Sequence, residues 1–320
     1  MMPRTGLSED EFVATWMKFG GHVVNISKAL GVNERSVHQR RKSIEDRRAI
    51  VLPSNPTAQY STRPKEYVEK IGHRITLTAK DAVAVVFSDA HYWPSDKPTA
   101  HAALVRFIKK HKPQFVICAG DAFDGASISR HPATEWANLP RVDEELSYCQ
   151  QMMAEIEEAS PKGAKLCWTM GNHDSRFSAR LAQMAPEYVR VHGVDLPDHF
   201  PAWNHSWSVF INGVVIKHRF KGGVHAAWNN TLYTGRTIVT GHLHRLAISP
   251  FTDSNGRRYG IDCGTLSDFG PDQKKFGYAE DNPFNWASGF AVLTWRNGEL
   301  LPPELAIVQN AVTWFRGKPL

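Results

Sequence analysis

Cysteine is scarce in this chain: four in 320 residues, at Cys118, Cys149, Cys167 and Cys263, with no Cys-x-x-Cys pair among them. That spacing argues against a disulfide framework and against a thiolate zinc site, and Cys118 and Cys167, set inside apolar runs, read as small buried hydrophobes. Long apolar runs are also missing. The stretch from Val83 to Phe87 is far too short to cross a bilayer. Met1 to Gly31 has acidic residues early and no unbroken apolar core of the kind a secretory leader needs. A cytoplasmic location with no membrane partner is the expectation. A strong charge of one sign is absent as well: 38 Lys and Arg against 32 Asp and Glu give +6, which permits polyanion binding without demanding it. No heptad pattern points to a coiled coil, so the oligomeric state stays open. What is present is 42% hydrophobic content with ten Trp, the makings of a packed globular protein.

The chain divides into residues 1–50, a connector at 51–79 and a large domain at 80–320. In the first part, Ser8 and Glu11 form a capping-box start, and Phe12, Trp16 and Phe19 follow at helical spacing. A second helix stops at Gly31, and Asn33 caps a third that runs to about Ile44. The run from Ile26 to Lys42 resembles a helix-turn-helix with its turn at Gly31. Arg35, Ser36, His38, Gln39, Arg40, Arg41 and Lys42 lie on the candidate recognition helix, which would present them to nucleic acid, DNA more than RNA. The competing reading is a helical appendage with a solvated basic face. Pro53, Pro56 and Pro64 mark the connector.

The large domain repeats one design. Val83 to Phe87 ends in Asp89-Ala90-His91, and Phe115 to Ala119 ends in Gly120-Asp121. Lys165 to Met170 ends in Gly171-Asn172-His173-Asp174, Val214 to Lys217 in His218, and Thr237 to Thr240 in Gly241-His242-Leu243-His244. Each strand-like run finishes in residues with metal-ligand chemistry, and sites in open α/β sheets gather at the carboxyl ends of strands. Between the runs, residues 100–112 and 139–160 read as helices. The second is acidic, with Glu144, Glu145, Glu155, Glu157 and Glu158 expected on its wet faces. Strand–helix–strand order implies parallel pairing. Two strands about an Asn-Gly turn near Gly256, a hairpin at Asn297-Gly298 and one last strand at 306–315 imply a second, antiparallel layer.

Taken together, these blocks resemble the signature of the calcineurin-like metallophosphoesterases, over roughly residues 80–265. The resemblance implies an α/β fold, a two-sheet αββα sandwich, here with a small N-terminal all-α helix-turn-helix domain. It implies two divalent transition metal ions: Mn²⁺ is expected, and Fe, Zn²⁺ or Co²⁺ would also suit mixed nitrogen and oxygen ligands. By similarity, one ion takes Asp89, His91, Asp121 and His244, and the other Asp121, Asn172, His218 and His242, with Asp121 as the bridge. His225 competes with His218, but it follows two glycines where His218 ends an apolar strand. His173 is the natural general acid, Asp174 the group expected to orient it, and Arg176 a group that could reach a substrate phosphate. Asp124 is placed behind the ligands rather than among them.

The chemistry implied is hydrolysis of a phosphate ester by a metal-activated water. The module at residues 1–50 turns that expectation toward a phosphodiesterase or nuclease on DNA, as a phage or mobile element would carry. Two alternatives stand beside it: a phosphatase or phosphodiesterase on nucleotides, phosphoproteins or small esters, and a DNA-binding regulator without activity.

Overall fold

A computed structural model describes residues 7–53, 70–94, 97–130, 139–269 and 285–320. The chain forms two compact units, Met1–Val68 and Glu69–Leu320. No described helix is long and apolar enough to cross a membrane.

The first unit holds α1 (Glu9–Lys18), α2 (Val23–Leu30) and α3 (Glu34–Arg48). The expected caps are in place. Ser8 and Glu11 satisfy each other's backbone N–H groups, Gly31 takes the left-handed conformation that closes α2, and Asn33 Oδ1 accepts from Ser36 N at 2.8 Å. Phe12, Trp16, Ile26, Val37, Ile44 and Leu52 form its core. Helix α3 runs a turn beyond the expected end, because Arg47 and Arg48 pair with Glu9 and Asp10 at the start of α1. Pro56 and Pro64 lie outside the described residues.

In the second unit, β1 (Ile75–Leu77), β2 (Ala82–Phe87), α4 (Thr99–His111), β3 (Phe115–Cys118), α5 (Val142–Ala159), β4 (Lys165–Thr169) and α6 (Arg176–Met184) come first. Then follow β5 (Asn204–Ser206), β6 (Val209–Ile211), β7 (Val214–Lys217), α7 (Ala226–Thr234), β8 (Thr237–Thr240), β9 (Leu246–Asp253) and β10 (Gly256–Cys263). The last elements are β11 (Gly289–Arg296), β12 (Glu299–Leu300), β13 (Glu304–Gln309), β14 (Val312–Phe315) and β15 (Lys318–Pro319). One sheet runs β15-β14-β13-β11-β2-β3-β4-β5, with β12 on β11, and the other runs β1-β6-β7-β8-β10-β9. The expected single strand at 306–315 is instead a hairpin: Asn310 and Ala311 both have positive φ, which turns the chain between β13 and β14.

Period-two alternation makes the sandwich. On β2, Val85 and Phe87 face the layer of α4 and α5, while Ala84 and Val86 face the other sheet; Val116 and Ile117 divide the same way on β3. Helix α7 covers the second sheet so closely that a Cβ on Gly260 would lie 1.6 Å from Ala227 O. The order of layers is therefore helix, sheet, sheet, helix, as expected. All four cysteines are buried and free. The acidic face assigned to α5 needs correction. Glu145 is fully buried, Glu157 accepts from Trp203 Nε1 at 2.7 Å, and Glu155 takes Lys97 and His101.

Candidate metal centre

The parallel strands β2, β3 and β4 of one sheet and β7 and β8 of the other all end at one edge of the sandwich. The side chains that follow them do not converge by sitting on an extended chain, as the Asp-x-His spacing suggested. Past β2, β3 and β8 they converge because the backbone turns sharply: Asp89, His91, Asp121, His242 and His244 all have positive φ, between 42° and 71°. Asp and His tolerate that region better than most side chains, and its cost is characteristic of sites held by their surroundings. Here the holding is visible: Asp89 N donates to Gly120 O at 2.9 Å, His91 N to Asp121 O at 3.0 Å and Gly241 N to His218 O at 2.9 Å. Two glycines permit the approach. A Cβ on Gly171 would lie 1.9 Å from Asp121 Oδ1, and one on Gly241 would lie 2.6 Å from Asp89 Oδ2.

The expected ligands meet. Donor atoms of Asp89, His91 and His244 lie within 4.8 Å of one another, as do those of Asp121, His218 and His242, and those of His91, Asp121 and His173. Asp121 thus lies between the two groups. His218 Nδ1 donates to Ala119 O at 2.9 Å, which turns Nε2 toward Asp121 Oδ2 at 3.0 Å and Asn172 Oδ1 at 3.1 Å. His91 Nδ1 is held by Asp124 Oδ1 at 2.8 Å, which turns its Nε2 toward His244 Nε2 at 3.2 Å. Buried Asp89 Oδ1 accepts no hydrogen bond, although His244 Nε2 lies 3.3 Å away. An unsatisfied anionic oxygen beside imidazole nitrogens aimed at one point is a donor set that fits divalent cations. His225, by contrast, is exposed ahead of α7, outside these groups.

The electrostatics agree with this geometry. Burial pushes the Asp121 carboxyl up, yet the charge and hydrogen bond of His218, with His173 nearby, together outweigh it and bring the pKa down to about 2. Burial would lower the His91 imidazole, but the hydrogen bond to Asp124 and the Asp89 carboxylate 3.7 Å away carry it up to about 10; burial would likewise lower His218, and Asp121 carries it to about 9. A field that binds protons this strongly also attracts cations, and the two compete for the same lone pairs.

The sequence misplaced one role. Asp174 does not touch the His173 ring. Its Oδ2 accepts from Asp121 N at 2.8 Å, Gly171 N at 2.9 Å and Trp168 Nε1 at 2.9 Å, pinning the β3 and β4 turns together. Burial, with Asp121 nearby, raises its carboxyl to about 6. The orienting partner is Asp124, whose Oδ1 takes His173 Nδ1 at 2.7 Å as well as His91 Nδ1. Burial alone would raise Asp124, but these two imidazoles hold it well below the usual carboxylate range. Arg176 donates to Asp124 O at 3.0 Å and reaches His173 Nε2 at 3.1 Å. Behind them Glu145 accepts the backbone N–H groups of Asp124, Gly125 and Ala126 and fixes this turn from below. An acid on an acidic helix gives no sequence signal for such a task. Asp124 did carry one, its position three residues after Asp121.

In the N-terminal unit, Arg35, His38, Gln39 and Lys42 are exposed at helical spacing along α3, and Ser36 is half-buried. Arg40 and Arg41 depart from expectation. Arg40 reaches Leu7 O and lies over the Phe12 ring; Arg41 binds Glu45 and Leu52 O and lies 4.9 Å from the Trp16 ring centre. Both are taken by the packing of the unit itself.

A family model described as calcineurin-like phosphoesterase matches residues 83–246. The Gene 54 protein of Mycobacterium phage L5 is 28% identical over 254 residues, which is 69% of this chain and 91% of the relative. Its counterpart in Mycobacterium phage D29 is 27% identical, with the same coverage of each chain. Among solved structures, a dimetal phosphatase from Danio rerio is 12% identical, covering 76% of this chain and 98% of its own, at a TM-score of 0.38. The match spans the strand ends on which Asp89, Asp121, Asn172, His218, His242 and His244 meet, and this chain belongs to the calcineurin-like phosphoesterase family of phosphate ester hydrolases.

Proposed function

We propose that this hydrolase is a phosphodiesterase acting on DNA and that it holds two divalent cations, Mn²⁺ first among them. Asp89, His91, Asp121 and His244 would hold one, and Asp121, Asn172, His218 and His242 the other. The observation that carries the reading is the meeting of these side chains from two sheets, with Asp121 between the two groups. Cations held there would supply charge neutralisation of a phosphate ester and acidification of a bound water. The protein's own groups do the rest. His173 delivers a proton from Nε2 to the departing oxygen while Asp124 holds Nδ1. Arg176, now against Nε2, exchanges that contact for a phosphate oxygen when substrate arrives.

DNA is favoured by the exposed α3 face of Arg35, His38, Gln39 and Lys42. Phosphate contacts of this kind make binding salt-dependent. The test compares hydrolysis of bis-aryl and mono-aryl phosphate by the Mn²⁺-loaded chain and measures duplex DNA binding by an Arg35→Ala/Lys42→Ala variant. The reading expects faster turnover of the diester and a binding loss of roughly tenfold or more at low salt. Preference for the monoester, with duplex affinity unaltered by the double substitution, would contradict it.

A further inference from the structure

Beside the metal centre lies a cleft of 660 Å³ whose walls include Asn172 and His218, so it opens onto the groups that would meet the reacting phosphate. That volume falls within the usual range for small-ligand pockets, but the lining is not apolar. Arg130, Arg176, Arg180, Lys217 and Arg219 are among its 14 lining residues, and no Asp or Glu is. Of these, Arg176 is engaged with Asp124 and His173. Arg130, Arg180 and Arg219 are exposed and form no salt bridge with a carboxylate among the described residues. Lys217 is half-buried beside Arg219. Concentrating like charges without acids is unfavourable in the free protein, and a polyanion relieves the repulsion.

Trp207 stands on the same wall, between β5 and β6. Its backbone N–H is fixed to Gly72 O at 2.9 Å, while the residue remains 46% exposed. An exposed indole on an anchored backbone is a flat platform with little freedom to lose. Cations that track a phosphate chain, joined to an aromatic face that accepts any base, are the two elements of single-strand nucleic-acid binding. A duplex keeps its bases stacked on each other and has no free face to offer. A phosphopeptide would use the charge but leave the platform idle.

Resting on the phosphodiesterase reading above, we infer that this cleft binds a single-stranded polynucleotide, with Arg180, Lys217 and Arg219 on its phosphates and Trp207 stacked on a base next to the scissile linkage. The α3 face and the cleft then take different forms of nucleic acid, duplex and unpaired strand.

The test is fluorescence anisotropy of the full Mn²⁺-loaded chain with a fluorescein-labelled, phosphorothioate single-stranded hexadeoxynucleotide, too short to offer α3 a stable duplex. Trp207→Ala weakens binding roughly 5- to 100-fold and Trp207→Phe restores most of it, as expected for stacking. Arg180→Ala lowers the slope of log affinity against log salt by about 0.7, the value for one single-strand phosphate contact. Wild-type affinity in both alanine variants would overturn the inference. So would displacement of the strand by an equal concentration of duplex or of a phosphoserine peptide. Because the readout is binding, failure of the hydrolytic reading shows separately: a chain inert on bis-aryl phosphate that still loses the strand on Trp207→Ala keeps the cleft and loses the phosphodiesterase.

Discussion

At the scale of single residues, chemistry and conformation are inseparable. Five of the seven groups that would hold metal, Asp89, His91, Asp121, His242 and His244, sit on left-handed backbone, and hydrogen bonds between neighbouring turns hold that backbone in place. Asp124 shows what this arrangement adds. One carboxylate oxygen receives both His91 and His173, so it ties a candidate ligand to the candidate proton donor. Asp124→Ala should therefore lower kcat about a hundredfold on an ester with a poor leaving group, with KM nearly constant and a much smaller loss on an activated aryl ester. Equal losses on both esters would mean that Asp124 does not act through His173. Gly171→Ala probes the packing instead. A methyl 1.9 Å from Asp121 Oδ1 must push that carboxylate away, and metal content measured by mass spectrometry should fall with activity. Full metal content in that variant would show that Asp121 is dispensable for binding. The ligand types were legible in the sequence because each closes an apolar run. Their left-handed backbone was not, since nothing in Asp-x-His distinguishes a strand end from a tight turn. Nor was the work of Asp174 and Glu145, because a buried carboxylate spent on backbone N–H groups, joined for Asp174 by Trp168 Nε1, leaves no pattern.

At the scale of elements, strand order follows from alternation and from chain connections, and most of it could be read in advance. The runs at 83–87, 115–119, 165–170, 214–217 and 237–240 all form strands, and the helix between β2 and β3 implied their parallel pairing. The β13–β14 hairpin was hidden because Asn310-Ala311 lacks the glycine that usually marks a tight turn. On edge strand β5, His205 is buried against Trp168 and its Nε2 has no hydrogen-bond partner. Burial lowers its pKa from 6.5 to about 4, and a hydrogen bond to the Trp203 backbone offsets only part of the shift. The unfolded chain therefore takes up this proton more readily than the folded one. Stability from His205 is complete above pH 6.5 and is lost as pH falls toward 4, by up to roughly 3 kcal/mol. In urea unfolding between pH 7 and pH 4, His205→Phe should flatten the acid side of the stability profile. An identical acid slope in the variant would refute that assignment.

At the scale of the molecule, two units carry two kinds of surface. The first presents an exposed polar and basic helix face; the second presents side chains that could hold metal, with a basic, aromatic-edged cleft beside them. A net charge of +6 hides this arrangement, because the acids lie elsewhere: in the ligand cluster, along α5 and in ion pairs such as Lys70 with Asp195 and Asp198. Composition could not have located the cleft, whose cations come from separate segments around Arg130, Arg180 and Lys217. The candidate centre and the cleft share Asn172, Arg176 and His218, whereas Arg130, Arg180, Trp207, Lys217 and Arg219 belong to the cleft alone and can be altered without touching a candidate ligand.

The most direct measurement is an anomalous difference map from a crystal of the full chain grown with Mn²⁺. Two peaks should lie at the strand ends, one ringed by Asp89, His91, Asp121 and His244 and the other by Asp121, Asn172, His218 and His242, with Asp121 touching both. Peaks elsewhere, or no peak between these side chains in Mn²⁺-saturated crystals, would contradict the two-cation centre.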